Sequence, residues 1–191
     1  MLRISHDPNP TRDQVAAVRQ GLRNYNLAQV PQLASAPSHE FALVVRKDGE
    51  IVGGALAELD WDWLYIDTLW VSDALRGQGY GQQIMLAAES YAAQQGITHC
   101  YLFTSSFQAR PFYERIGYTL FGEQADRPRG HTIYYLRKEG LEEQPIADDL
   151  EALPDPPPSI VTALNEGLLA HAAEHVSLRF QPLAVFAYDE Q

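Results

Sequence analysis

The chain has 191 residues, a formal net charge of −11 and hydrophobic residues at 46% of its positions. This length fits one domain, or one domain with an appendage, and the apolar fraction is too high for a disordered chain. The acidic excess argues against nucleic acid and anionic membranes as principal partners, because phosphate groups are bound by clustered Lys and Arg.

The acidic excess is confined to one end of the chain. Residues 1–138 carry 13 basic and 14 acidic side chains, whereas residues 139–191 carry one basic residue, Arg179, and eleven acidic ones. This asymmetry predicts a nearly neutral body followed by an acidic tail.

Further features of the sequence indicate where the protein resides and what it lacks. The single cysteine, Cys100, excludes an intrachain disulfide and a CxxC metal site. The sequence has no apolar run of about 18 residues, the length of a membrane span, and its N-terminus lacks the apolar core of a signal peptide. We therefore expect a cytoplasmic protein. His171 and His175 match the H-x-x-E-H zinc pattern, but only sixteen residues follow His175, so we expect no metal site.

Hydrophobic periodicity and turn residues indicate a mixed sequence of elements. Alternation along the predicted strand at 64–71, the third long strand, places Tyr65, Asp67, Leu69 and Val71 on one face. The order predicts an α/β (α+β) fold in which helices flank a mixed, largely antiparallel central sheet. The predicted elements of the body are a strand at 2–5, a helix at 11–30 capped by Thr11, strands at 40–46, 51–59 and 64–71, a helix at 82–95, a strand at 100–103, a helix at 109–116 and strands at 118–121 and 131–136.

The tail has a different composition. Residues 139–158 contain five prolines and seven acidic residues, which predicts an extended linker. A helix at 159–175 and a strand at 183–188 follow. The predicted organisation is thus a domain at 1–138, a linker at 139–158 and a helix–strand appendage at 159–191.

Three glycines stand at alternate positions between the third long strand and the next helix. Gly77, Gly79 and Gly81 leave backbone amides unshielded at a helix N-terminus, which is an anion site, and Arg76 adds a cation. The loop ends in Gln82-Gln83. It therefore lacks the Lys-Ser/Thr of a Walker A loop and the Gly/Ala of a dinucleotide fingerprint.

The segment Arg76–Gly81 resembles the Q/R-x-x-G-x-G/A signature of the GNAT superfamily of N-acetyltransferases. Thirty-two residues after Gly81, the segment Tyr113–Tyr118 is similar to the second marker of that family, Y-x-x-x-G-F/Y. The resemblance covers about residues 2–138. It implies a GNAT fold and an acetyltransferase that uses acetyl-CoA as co-substrate.

The resemblance also implies how acetyl-CoA is bound. The diphosphate would lie on the loop amides, and the pantetheine arm would add to the third long strand as an extra strand. Many relatives have an asparagine before the last core helix; here a serine or Gln108 would replace it. The implied cofactor-binding residues are Leu69, Trp70, Val71, Arg76, Gly77, Gln78, Gly79, Tyr80, Gly81 and Gln108.

Amine acetylation imposes its own requirements on the site. Deprotonating an alkylamine at pH 7 costs about 4–5 kcal/mol, so a base, a water relay or an acceptor with a lowered pKa is needed. Asp67 and Glu58 are the leading candidate bases, Asp60 lies close to Glu58 near the end of the same strand, and the resemblance does not choose among them. Tyr113 matches the family's tyrosine acid, which protonates the leaving thiolate. Trp61, Trp63, Tyr25 and Tyr65 are candidates for an acceptor pocket.

The predicted function is direct transfer of an acetyl group from acetyl-CoA to an amine of a small molecule or peptide, in a ternary complex without a covalent enzyme intermediate. A non-catalytic acyl-CoA-binding module on the same fold is the alternative.

Part of the tail is weakly similar to part of the body. Val15–Val30 and Val161–Val176 align without a gap and share five of sixteen residues. We therefore expect residues 159–191 to be the start of a second, truncated GNAT unit; chance similarity between two amphipathic helices is the alternative. Its apolar strand would seek a sheet edge on its own body or on a second subunit, as in a homodimer.

Overall fold

The computed structural model describes residues 2–7, 9–147, 149–173 and 184–189. The described residues fall into two units. The smaller unit contains the N-terminal residues up to Ala36 together with the last strand, and the larger unit contains residues 37–173. The predicted helix residues 174–175 and strand residue 183 lie outside the described residues.

The smaller unit is built around a pair of strands from the two ends of the chain. Strand β1 (Leu2–Asp7) pairs antiparallel with strand β9 (Ala184–Asp189). Helix α1 (Arg12–Gln29) begins at Thr11, whose hydroxyl accepts from the Gln14 amide while the Gln14 side chain accepts from the Thr11 amide. This reciprocal capping satisfies two amides that a helix N-terminus leaves unpaired. A short 3-10 helix, Pro31–Ser35, follows.

The larger unit is organised on a seven-stranded sheet with the order β6-β7-β5-β4-β3-β2-β8. Among the described strands, β4 and β5 form the parallel pair and all other neighbours are antiparallel. This arrangement confirms the predicted fold class. The strands are β2 (Ser38–Lys47), β3 (Glu50–Asp60), β4 (Trp63–Val71), β5 (His99–Ser105), β6 (Thr119–Ala125), β7 (Thr132–Glu139) and β8 (Leu150–Pro154).

Helices cover both faces of this sheet. On one face, α2 (Tyr80–Gln94) and α3 (Arg110–Arg115) pack on alternate strand residues such as Leu43 and Ala55. On the other face, α4 (Pro158–Ala173) packs on the intervening residues, including Val44. Because successive side chains of a strand point to opposite faces of the sheet, each strand contributes to two separate apolar layers. None of the described helices is long and apolar enough to cross a membrane.

The segment 139–158, predicted as an extended linker, contains a strand and packed side chains. Leu141 is 5% exposed and lies in the main core, and the Ser90 hydroxyl donates to the carbonyl of Gln144. Strand β8 then pairs with β2 at the sheet edge. Proline and acidic residues are typical of linkers, but edge strands also carry them, so composition alone did not distinguish the two. The predicted domain boundaries stay a prediction.

Candidate active site

The candidate site lies where strands β4 and β5 separate. They pair from Trp63–His99 to Ile66–Leu102 and no further. Beyond that point, the residues 69–71 of β4 pair with β3 on one side. A cavity of about 600 Å³ opens on the other side. The backbone groups of β4 that face it are therefore available to a ligand that adds as a strand.

The cavity brings together most of the residues that the sequence singled out. Two predicted site residues, Glu58 and Gln78, lie outside its lining; the Gln78 side chain folds back within the loop, where its amide donates to the Ala74 carbonyl at 2.7 Å. The predicted residues in the lining are Asp67, Leu69, Trp70, Val71, Arg76, Gly77, Gly79, Tyr80, Gly81, Gln108 and Tyr113.

The glycine loop has the geometry of an anion site. Gly77 and Gly79 have φ values of 75° and 90°, and a Cβ at either position would meet no atom within 4 Å. Backbone conformation, and not lack of space, is therefore what favours glycine there. Gly79 directly precedes the 15-residue helix α2, whose first-turn amides have no acceptor within the helix. These amides and the helix dipole favour a bound anion at the loop.

Arg76 is held in place at the start of this loop. Its Nη1 lies 2.7 Å from Asp73 Oδ1 and 3.3 Å from His171 Nδ1, and its Nε donates to the Val71 carbonyl at 3.1 Å. The guanidinium is thus fixed to both the strand that ends at the cavity and the helix that flanks it.

Tyr113 reaches the cavity from the short helix α3. Its side chain is 8% exposed and packs edge-on against Phe112 and Tyr118, with ring centroids 5.0 and 5.9 Å away. Burial raises the pKa of the Tyr113 phenol above its ordinary value. The phenol therefore keeps its proton at neutral pH, as a proton donor must.

Asp67 occupies a bulge in β4. The β3–β4 register shifts so that Leu56 faces Thr68 and Ala57 faces Ile66, which makes Asp67 the extra residue. The prediction that Tyr65, Asp67, Leu69 and Val71 share one face is wrong, because the bulge reverses the alternation between Tyr65 and Leu69. The Asp67 carboxylate accepts from the hydroxyls of Tyr65 and Thr68 at 3.2 and 3.3 Å.

Aromatic side chains continue from Asp67 across the sheet. The Tyr65 ring stacks on Tyr101 at 4.9 Å and lies 6.2 Å from Phe103, which is 44% exposed and lines the cavity. Burial raises the pKa of Tyr65, and the neighbouring Asp67 carboxylate raises it further. Glu58, on the adjacent strand, lies opposite Tyr65 in the ladder.

The larger unit contains two of the other residues predicted for an acceptor pocket, Trp61 and Trp63. Trp63 belongs to the same aromatic group, with its ring 6.0 Å from that of Tyr101. Trp61 occupies the preceding turn at a φ of 63°. Tyr25 lies on α1 in the smaller unit.

Gln108 closes the end of the site nearest α3. Its side-chain oxygen accepts from the Ser105 amide at 2.8 Å and from the Thr104 hydroxyl at 3.2 Å. The side chain therefore caps the end of β5 while it lines the cavity.

The sequence did not predict several residues of the lining. Phe103 is the last residue of the strand predicted at 100–103 and Thr104 lies just beyond that prediction; both belong to β5 and line the cavity. Leu168 and His171 come from α4, which the sequence assigned to an appendage. His171 is the first histidine of the H-x-x-E-H pattern, and the second, His175, lies outside the described residues. Among the described residues, no His, Cys, Asp and Glu side chains group to hold a metal ion.

Comparison with known proteins decides the family. The model of the acetyltransferase (GNAT) family matches residues 5–118, which is more than half of the chain. The chain belongs to the GNAT acetyltransferase family. The match contains both the glycine loop and Tyr113, so the motifs on which the resemblance depended lie inside it.

Individual relatives of this GNAT protein agree with that assignment. The chain is 35% identical to blasticidin-S acetyltransferase of Streptomyces morookaense over 59% of this chain and 85% of the relative. It is 31% identical to an acetyltransferase of Agrobacterium fabrum over 64% of this chain and 88% of the relative. A crystal structure of an acetyltransferase from Bacillus cereus superposes with a TM-score of 0.62 at 32% identity, covering 71% of this chain and 97% of that one. The family match and these named acetyltransferases therefore both identify the protein as an acyltransferase.

Proposed function

We propose that this enzyme transfers the acetyl group of acetyl-CoA to a primary amine by direct attack within a ternary complex. The observation that carries the proposal is the meeting of three features at one cavity. These are the amides of the glycine loop, the exposed backbone of β4 and the buried phenol of Tyr113.

The residues present suit acetyl-CoA as co-substrate. The loop amides at Gly77–Gly81 would hold the diphosphate, and Leu69–Val71 would hydrogen-bond the amides of the pantetheine arm. Gln108 and Tyr80 would complete the lining. Gln78 would contribute through its backbone, because its side chain is engaged with Ala74.

The proton must leave the attacking amine and another must reach the departing thiolate. Asp67 is the better placed of the two candidate bases, since its carboxylate lines the cavity whereas Glu58 does not. Tyr113 would donate to the thiolate from the opposite side of the gap. Because the pKa of Tyr113 is raised, full proton transfer to the CoA thiolate, whose thiol has a pKa of about 8.5, is uphill. Tyr113 would therefore stabilise the developing negative charge by a hydrogen bond, and the released thiolate would take its proton from solvent water.

The acceptor would approach over the aromatic side chains beside Asp67. A carboxylate next to the rings of Tyr65, Tyr101 and Phe103 suits a cationic amine, which is attracted by both negative charge and aromatic surface. The relative from Streptomyces morookaense is named for blasticidin S, so that compound belongs among the amines to be tested.

The test is release of CoA in the presence of candidate acceptors, followed with a thiol reagent. The panel comprises blasticidin S, polyamines, aminoglycosides and peptide N-termini, each with acetyl-CoA. Acceptor-dependent CoA release supports the enzyme. Binding of acetyl-CoA without release for any acceptor favours the alternative, a non-catalytic acyl-CoA-binding module.

A further inference from the structure

Helix α4 packs on strands β2, β3 and β4 of the sheet, of which β4 lines the cavity. Ile160 and Leu164 are 5% and 0% exposed and lie against Val44 and Leu56 of β2 and β3. The side-chain oxygen of the next residue, Asn165, lies 3.0 Å from the hydroxyl of Thr68, which follows Asp67 in β4. The helix is therefore fixed to the sheet by apolar burial and by a polar contact at the bulge.

The same face of α4 continues into the cavity. Leu164, Gly167, Leu168 and His171 are spaced by three or four residues and so share one side of the helix. Gly167 lies against the Trp70 ring, and Leu168 and His171 line the cavity. The N-terminal half of α4 thus anchors the helix on the sheet, and its C-terminal half forms a wall of the proposed cofactor site.

The contact between His171 and Arg76 joins this wall to the glycine loop. His171 Nδ1 lies 3.3 Å from Arg76 Nη1, and the same nitrogen of Arg76 lies 2.7 Å from Asp73 Oδ1. Arginine only donates, so the contact is a hydrogen bond when His171 Nδ1 carries no proton. The imidazole then limits the positions that the guanidinium can take beside the loop amides.

We propose that α4 is part of the acetyl-CoA site and that His171 is a positioning residue for Arg76 at the diphosphate. This inference rests on the proposed function. Neither α4 nor His171 falls within residues 5–118, so the family match does not assign them a role. Asp73, the Val71 carbonyl and His171 each contact the guanidinium, so they would restrict the orientations in which Arg76 meets the diphosphate.

The experiment compares H171A and H171N with the wild type in the full-length chain. The KM for acetyl-CoA, kcat and Tm are measured, together with the Kd for CoA by calorimetry. Loss of one hydrogen bond to a charged group predicts a rise of about tenfold in KM and Kd for H171A, with kcat within about twofold. H171N, whose side-chain oxygen can accept near the position of Nδ1, should recover most of the affinity. The matched control is L169A on the same helix, where Leu169 is 54% exposed; it should behave as the wild type.

The outcomes separate this inference from the function on which it rests. Unchanged KM and Kd in H171A, with wild-type turnover, would overturn the positioning role and leave the proposed function intact. Equal loss of affinity in H171A and H171N with a lowered Tm in both would also overturn it, because the effect would then be structural. A wild-type protein that does not bind CoA would overturn both.

Discussion

Gly167 of α4 lies so close to the indole ring of Trp70 that a Cβ at position 167 would overlap three of the ring atoms. Trp70 belongs to β4, the strand proposed to carry the pantetheine arm. The absence of a side chain at position 167 therefore lets the C-terminal helix approach the cofactor strand, and this close approach is what makes α4 a wall of the site.

Replacing Gly167 by alanine should destabilise the protein. The added methyl group must displace either the Trp70 ring or the helix, and overpacking of this kind costs about 1–3 kcal/mol. Gly21 is the matched control, because it lies within α1 and a Cβ there would meet no atom within 4 Å. G21A should stabilise the protein by about 0.5–1 kcal/mol through helix propensity. Urea denaturation measures both changes, and a gain of stability in G167A would contradict the described packing.

Removing the hydroxyl of Tyr113 should slow turnover. Y113F keeps the ring that packs against Phe112 and Tyr118 but removes the proton donor, so kcat should fall by about 10²-fold while the Kd for CoA stays near the wild-type value. Y118F is the control: the Tyr118 hydroxyl donates to the buried Glu89, at 2.9 Å, and Tyr118 is not part of the cavity lining. Y118F should lower Tm and retain kcat. Wild-type turnover in Y113F would remove Tyr113 from the mechanism.

The pH dependence should also reflect the burial of Tyr113. The protonated phenol is the active form, and burial raises its pKa above the ordinary value of about 10, so this form persists to higher pH than in a free phenol. The rate at subsaturating acceptor should rise with pH as the amine loses its proton, with no decline below about pH 10 caused by Tyr113. A decline between pH 8 and 10 that is absent in Y113F would contradict this assignment.

The two candidate bases can be separated by paired amide substitutions. D67N removes a charge that lines the cavity and accepts from Tyr65 and Thr68, and it should lower kcat/KM for the acceptor by at least about tenfold. E58Q removes a charge on the neighbouring strand outside the lining and should have a smaller effect. Steady-state kinetics at saturating acetyl-CoA make the comparison. The reverse order would assign the base to Glu58.

Much of the candidate site could be predicted from the sequence because it depends on the backbone conformation of short, continuous segments. Gly77 and Gly79 adopt positive φ, which few other residue types tolerate, and they precede a helix whose start is marked by the same glycines. Tyr113 lies in a motif close to the next strand. In both cases the residues that determine the geometry are adjacent in the chain.

The remainder depends on contacts between distant parts of the chain. The bulge at Asp67 arises from how β3 and β4 pair. Simple alternation along β4 would place Tyr65 and Leu69 on the same face, whereas the bulge places them on opposite faces. The composition around strand β8 is typical of a linker, and only its pairing with the distant strand β2 identifies it as a strand. The role of α4 depends on Gly167 meeting Trp70 across 97 positions of sequence, which no local pattern indicates. The tail's proposed origin as a second GNAT unit stays a prediction.

A crystal structure of the enzyme with CoA tests the account most directly. It should show the diphosphate on the backbone amides of Gly77–Gly81, the pantetheine arm hydrogen-bonded along Leu69–Val71, and the thiol within reach of the Tyr113 hydroxyl. It should also show a hydrogen bond between His171 and Arg76 at the edge of the diphosphate. CoA bound elsewhere, or bound in this cavity with its thiol remote from Tyr113, would contradict the account.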